Sequence, residues 1–345
     1  MTGRHCSAQS GTLRTSVIPT DRASNKQYLS MATKNESVPV NEKPEVVKNE
    51  PTFRNWIKDD ETAAFKAEPN RYHLYVSYGC PWAHRTLVVR KLKGLEDVIS
   101  YSSVDSFLDR AKGCGWAFSK SYPDPHHSNF THLKEVYRLS DPNFDGRVTV
   151  PVLFDLKTQN IVNNESPEII RMLNSEFNRF AKNPDLDLYP ESLRSKIDSL
   201  NDEIYSKFNN AVYRAGFAKT QEVYESAFHD IFQILDKLEV ILSESRYLAS
   251  SNKLTEADVR LWTTLVRFDP VYVTHFKCNK KLITKDYPNL YGFLREIYQM
   301  NGIKETVKMD EIKKLYFTSH THLNPTGIIP LGPDVDYDLP HKRDS

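Results

Sequence analysis

The sequence predicts an α/β first half followed by an all-α second half. Two patterns carry this. From Arg71 to about Phe177, apolar runs and helical patterns follow in the order strand, helix, strand, insertion, strand, strand, helix. From Tyr189 almost to Tyr316, apolar residues recur three and four apart. The whole chain has 345 residues, enough for two ordinary domains. Lys and Arg number 46 against 45 Asp and Glu, a net charge of +1. Such a balance carries no electrostatic footprint for nucleic acid. No apolar run approaches the roughly 20 residues a membrane span needs. The four cysteines, Cys6, Cys80, Cys114 and Cys278, form neither a disulfide framework nor a CxxC zinc pattern.

Residues 1–50 are polar and aperiodic, and read as a disordered N-terminal extension. Arg4 and Arg14, with no acid before Asp21, raise a mitochondrial transit peptide as the alternative to a cytoplasmic protein. Residues 51–180 form the α/β unit. "YHLYVSY" is its first strand. "PWAHRTLVVRKLKG" is a helix, with Pro81 in the first turn and Gly94 past the end. "VISYSSV" is a second strand, and residues 105–146 are an irregular insertion. "TVPVLFDL" and "NIVNN" are two further strands. "SPEIIRMLNSEF" is a helix with Ser166 as N-cap and Pro167 at its first position. Residues 189–318 are the helical unit, and the Pro- and Gly-rich residues 319–345 form an extended tail.

Cys80 lies where a strand hands over to a helix. A helix N-terminus presents unpaired N–H groups and a partial positive charge, which favour a thiolate. Position 83 is Ala, so no resolving thiol follows in the loop, and a disulfide at Cys80 must be resolved by an outside thiol such as glutathione. The plainer alternative is a buried structural cysteine. Pro151 opens a strand, where proline cannot donate to a ladder. A cis Val150-Pro151 bond is expected, freeing the Val150 backbone to pair with a peptide-like ligand. Glu165 and Ser166 stand at a helix start, suited to a carboxylate and an amine. A thiolate, a backbone clamp and a carboxylate cradle together match a γ-glutamyl tripeptide.

Other polar groups read more plainly. His84 and Arg85, one turn beyond Cys80, are packed or solvated rather than catalytic. His126, His127, His320 and His322 lack a third ligand at metal spacing, so no metal is expected. Thr255 and Asp258 form a capping pattern. Tyr205, Phe208, Tyr224, Phe228 and Phe232 read as core or pocket lining, core being the stronger reading.

With "CPWAHR", "GWAF", "VPVL", "NESPEI", "VYRAGFA", "LTEADVRLW" and "SHTHLNPTGIIPLGP" in hand, the chain resembles the glutathionyl-hydroquinone reductases, the xi class of the glutathione transferase superfamily. The likeness runs from about Trp56 to Pro333 and looks closest to fungal, omega-like members. It implies a thioredoxin-like N-terminal domain, an all-α C-terminal domain, a homodimer, and glutathione as co-substrate without a metal. It implies Cys80 as nucleophile. Pro81, Trp116, Val150, Pro151, Glu165 and Ser166 would hold glutathione, and Tyr213 and Tyr316 would face a glutathionylated aromatic or disulfide substrate. Members usually read His-Tyr-Tyr where this chain has Leu315-Tyr316-Phe317, and Cys114 is not part of the usual pattern. The alternatives are a plainer thiol transferase or dehydroascorbate reductase, and a non-catalytic binding module.

Overall fold

The computed structural model describes residues 53–109 and 115–343. Its first half holds β1 (Tyr72–Val76), α1 (Pro81–Leu92), β2 (Ser100–Ser103), β3 (Leu108–Asp109), β4 (Gly115–Trp116), α2 (Leu133–Ser140), β5 (Val152–Asp155), β6 (Asn160–Asn163) and α3 (Ser166–Ser175). Every residue of β1 and β5 is buried, as strands covered on both faces require. The sheet order is β2-β1-β5-β6, with β1 parallel to β2 and antiparallel to β5. Arg71, just before β1, donates Nε and Nη2 to the buried Asp155 carboxylate at 3.0 and 2.7 Å, which ties the start of β1 to the end of β5.

Two expectations need correction. The insertion is not wholly irregular. It contains the β3–β4 hairpin and α2, whose Glu135 carboxylate accepts from the His132 N–H at 2.8 Å in a capping box. In α3, Glu165 is the N-cap and Ser166 the first helical residue, because Pro167 is tolerated anywhere in the first turn. At the end of α1, Gly94 takes φ +65°, where a Cβ would sit 2.5 Å from the Lys182 side chain. Neighbouring Lys93, buried, donates to the Pro184 and Leu186 carbonyls and fixes the passage to the helical half.

The second half comprises α4 (Arg194–Ile204), α5 (Ala211–Gly216), α6 (Gln221–Glu244), α7 (Glu256–Leu265), α8 (Val273–His275), α9 (Ile283–Asp286), α10 (Pro288–Gln299) and α11 (Met309–Ser319). Single π-helical turns at Tyr205–Asn209 and Phe268–Tyr272 join α4 to α5 and α7 to α8. Phe208 and Phe232 are core; Tyr224 and Phe228 are half-buried. Tyr205 is exposed, against expectation, lying beside Trp82 at 5.8 Å between ring centroids. The tail is held by Lys313, which donates to the Leu331 carbonyl at 2.6 Å, and by Arg343 on the Glu296 carboxylate at 2.9 Å.

The capping pattern at α7 is present and fully buried. The Asp258 carboxylate accepts from the N–H groups of Leu248 and Thr255 and from the Thr255 hydroxyl, at 2.8 to 2.9 Å. Burial nevertheless raises Asp258 to about 6. The unfolded value is about 3.9, so the folded chain binds this proton more tightly, and stability from this group falls as pH rises from about 4 to 6. The stability gap between the chain and its Asp258→Asn variant is therefore expected to be on the order of 2 kcal/mol wider at pH 4.5 than at pH 7. Urea melts at the two pH values measure it.

Candidate active site

β1 ends at Val76, and the turn Ser77–Gly79 delivers Cys80 to the N-cap of α1 with extended backbone. Pro81 is the first helical residue, so the missing N–H is one that the helix leaves unpaired anyway. The Cys80 sulfur lies 3.7 Å from the Val150 carbonyl oxygen and is 8% exposed. Its ionisation is a contest. Burial is the largest influence and pushes the thiol up. The N–H groups of Ala83 and Trp82, then the guanidinium groups of Arg267 and Arg85, pull it down. The balance lies upward, which corrects the expectation that the helix N-terminus alone keeps this sulfur ionised.

The Val150-Pro151 bond is cis, as expected. A buried network sets the segment before it. The Tyr137 hydroxyl donates to the Thr149 carbonyl at 2.9 Å, and the Asn164 amide donates to the Tyr137 and Thr149 hydroxyls at 3.3 and 3.2 Å. Because Asn164 precedes Glu165, the network couples the Thr149–Val150 segment to the start of α3. There the Glu165 N–H donates to Asn163 Oδ1 at 2.8 Å, and Ser166 is buried. Asn164 Oδ1 is buried without a hydrogen-bond partner among the described residues. Trp116 is nearly buried on β4. The insertion carrying it is strapped to α11: the Leu108 N–H donates to Ser319 Oγ at 2.9 Å, Tyr122 to Glu311 at 2.7 Å, and Lys314 pairs with Asp105 at 3.1 Å.

The Tyr213 and Tyr316 hydroxyls meet at 2.6 Å, and Tyr272 joins them at 2.9 Å from Tyr316. All three phenols are pushed up, chiefly by burial, Tyr272 to about 12. They are neutral at physiological pH. Three hydroxyls in a row spend two protons on each other and keep the third for a ligand. A charge on Cys80 raises Tyr213 and Tyr272 further, a smaller influence than their burial. Leu315, next to Tyr316, packs so close to Gly79 that a Cβ there would lie 2.5 Å from its Cδ2. Glycine is required at position 79 for α11 to approach the Cys80 loop.

The sequence reading missed Tyr272 and Arg267. Tyr272 sits at the end of a π-helical turn, out of phase with α7. Arg267, fully buried, donates to the carbonyls of Tyr78 and Gly79. An arginine at the end of an amphipathic pattern reads as surface, so the sequence carried no signal for it. His84 is buried between Arg267 and Thr306, and Arg85 donates to Asn209 Oδ1 at 2.8 Å, so both are packed, as read. His126 pairs with His73 and His320 with His275. Among the described residues no group of three or more His, Cys, Asp or Glu could hold a metal ion. Cys6 and Cys114 lie outside the described residues, as does the N-terminal extension.

Family models for the N-terminal and C-terminal domains of glutathione S-transferases match residues 79–176 and 221–296. Glutathionyl-hydroquinone reductase YqjG of Escherichia coli K12 is 55% identical over 302 residues, 85% of this chain and 90% of the relative. Glutathione S-transferase omega-like 2 of Schizosaccharomyces pombe is 51% identical over 297 residues, 83% of this chain and 93% of the relative. The glutathione-bound structure of YqjG superposes with a TM-score of 0.80 at 54% identity, covering 85% of this chain and 96% of that one. The xi transferase structure from Phanerochaete chrysosporium superposes with a TM-score of 0.80 at 48% identity, covering 86% and 95%.

Proposed function

Because the chain belongs to the xi-class glutathionyl-hydroquinone reductases of the glutathione transferase superfamily, we propose that it removes glutathione from glutathionyl-hydroquinones through Cys80. The observation that carries the reading is the sulfur at the start of α1, 3.7 Å from the Val150 carbonyl, in a chain that also holds a connected row of three neutral phenols.

In this mechanism the Cys80 thiolate attacks the sulfur of the glutathionyl arene. The sulfur–carbon bond breaks, its electron pair goes to the arene, and a proton completes the free hydroquinone. The arene is reduced and Cys80 is left in a mixed disulfide with glutathione. A second glutathione thiolate attacks that disulfide, releasing glutathione disulfide and restoring the Cys80 thiolate. The row formed by Tyr213, Tyr316 and Tyr272 donates its one unspent proton to a hydroquinone oxygen where charge develops. Val150, next to Pro151, pairs its backbone with the tripeptide. The start of α3 at Glu165 and Ser166 takes the γ-glutamyl carboxylate and amine, and Trp116 and Pro81 wall the berth. The orphaned Asn164 Oδ1 suits an amide donor brought by such a ligand.

The same reading divides the chain at residues 51–180 and 189–318, and places a homodimer in the cytoplasm. The family resemblance supports the dimer, and the cysteine spacing supports a reducing compartment. A second reading, a general thiol transferase, is favoured by Leu315 and Phe317 flanking Tyr316 where the family resemblance implies a histidine and a tyrosine. Incubation with glutathione disulfide followed by intact mass tests the shared chemistry. One added glutathionyl group, mapped by peptide digest to Cys80, is expected. Addition elsewhere, or none, removes Cys80 as the nucleophile.

A further inference from the structure

Behind Cys80 lies a cation whose hydrogen bonds bypass carboxylates. Arg267 is fully buried just past the end of α7. Its Nε donates to the Gly79 carbonyl at 3.1 Å, and its Nη2 to the Tyr78 carbonyl at 2.9 Å. Its Nη1 donates to the Thr263 carbonyl at 2.6 Å and lies 3.0 Å from His84 Nδ1. That nitrogen must accept, which leaves the proton on Nε2, 2.8 Å from the Thr306 hydroxyl. Burial and the Arg267 charge together keep His84 neutral, well below the ordinary histidine range. One guanidinium therefore grips the two residues that precede the nucleophile and the last turn of α7, and a neutral imidazole braces it from α1.

Burying a cation without a carboxylate is expensive, because the charge loses its hydration and gains only carbonyl dipoles. A leucine or methionine would fill the space at lower cost. The expense is offset if an anion forms nearby. The charged and titratable groups whose electrostatics act on Cys80, or on which its charge acts, include Arg267 from the α7 end, Arg85 from α1, Tyr213 from α5 and Tyr272 from the π-helical turn. The phenols are neutral, and Arg85 is occupied by Asn209 and stacked on Trp82, 4.5 Å from the ring centroid.

We infer that Arg267 is the positioning residue of the nucleophile: it fixes the Tyr78–Gly79 backbone that presents Cys80, and its unneutralised charge stabilises the thiolate as it forms. The inference rests on Cys80 being the nucleophile. A purely structural arginine, capping α7, would do the first and not the second.

Alkylation of Cys80 by iodoacetamide between pH 7 and 10.5, read by peptide mass, separates these. In Arg267→Gln the rate at pH 8 is expected to fall tenfold or more, the equivalent of one pH unit in thiol ionisation. The deficit is expected to shrink toward pH 10.5 as both thiols ionise. Arg267→Lys, which keeps the charge and loses the fork, is expected to stay within about threefold of the parent at pH 8. A deficit that is constant with pH, no deficit at all, or equal slowing in the two variants overturns the inference. If Arg267→Gln does not fold, Arg267→Lys decides alone: tenfold slowing refutes the charge role, and retention supports it. An inert Cys80 in the parent chain sinks the nucleophile and the inference together, whereas a reactive parent with indifferent variants sinks only the inference.

Discussion

Replacing Cys80 by serine is expected to lower kcat/KM for glutathionyl-menadione by about a thousandfold or more, with no detectable glutathione mixed disulfide. Serine fits the same N-cap geometry, so the change removes the sulfur without disturbing the turn that holds it. The hydroxyl cannot form or release a disulfide, and its proton is far harder to remove than a thiol's. The Val150 clamp and the α3 start stay in place, so glutathione affinity by calorimetry is expected to change only severalfold. Turnover comparable with the parent would mean that the reaction bypasses Cys80. The pH dependence has a definite sign. Because burial holds this thiol up, its alkylation rate is expected to climb about tenfold per pH unit from pH 7 to 9. A plateau below pH 7 would show instead that the amide and guanidinium groups overcome burial.

How much of this was legible in the sequence varies with the range of the interaction. The strand-to-helix turn at Cys80, Pro81 in the first turn and the Thr255–Asp258 cap are local events, set by capping and proline geometry, and the structure holds all three. The start of α3 was missed by one residue, since Pro167 fits either the first or the second helical position. The hairpin β3–β4 has strands of two residues, too short for any alternation to register. The packing around the Cys80 turn is long-range. Leu315, more than 230 residues along the chain, packs directly against Gly79. Tyr272 and Arg267 share that cause: both follow α7 where a π-helical turn breaks the period that a helical pattern relies on.

The phenol row supplies the sharper test of substrate. Tyr316 is its middle member, within 2.6 Å of the Tyr213 hydroxyl and 2.9 Å of the Tyr272 hydroxyl. Phenylalanine at 316 preserves the ring, buried against Phe276 and His275, and deletes only the oxygen that joins the other two. Tyr213 and Tyr272 then lose their shared partner, and neither is held in the donating orientation that the row imposes. If arene release draws on this row, kcat for glutathionyl-menadione falls by about a hundredfold, the usual scale for losing a donor aimed at developing charge. Transfer to a small mixed disulfide releases a thiolate that needs no such donor, so that rate is expected to stay within about threefold. Assaying both substrates on one preparation of Tyr316→Phe gives the ratio directly. A hundredfold split marks a hydroquinone site built around the phenols, while equal small losses mark a general thiol transferase in which Leu315 and Phe317 have left the wall too apolar to matter. Since all three phenols are held high by burial, the arene rate is expected to show no phenol ionisation below about pH 10, which distinguishes donation by neutral hydroxyls from base catalysis by a phenolate.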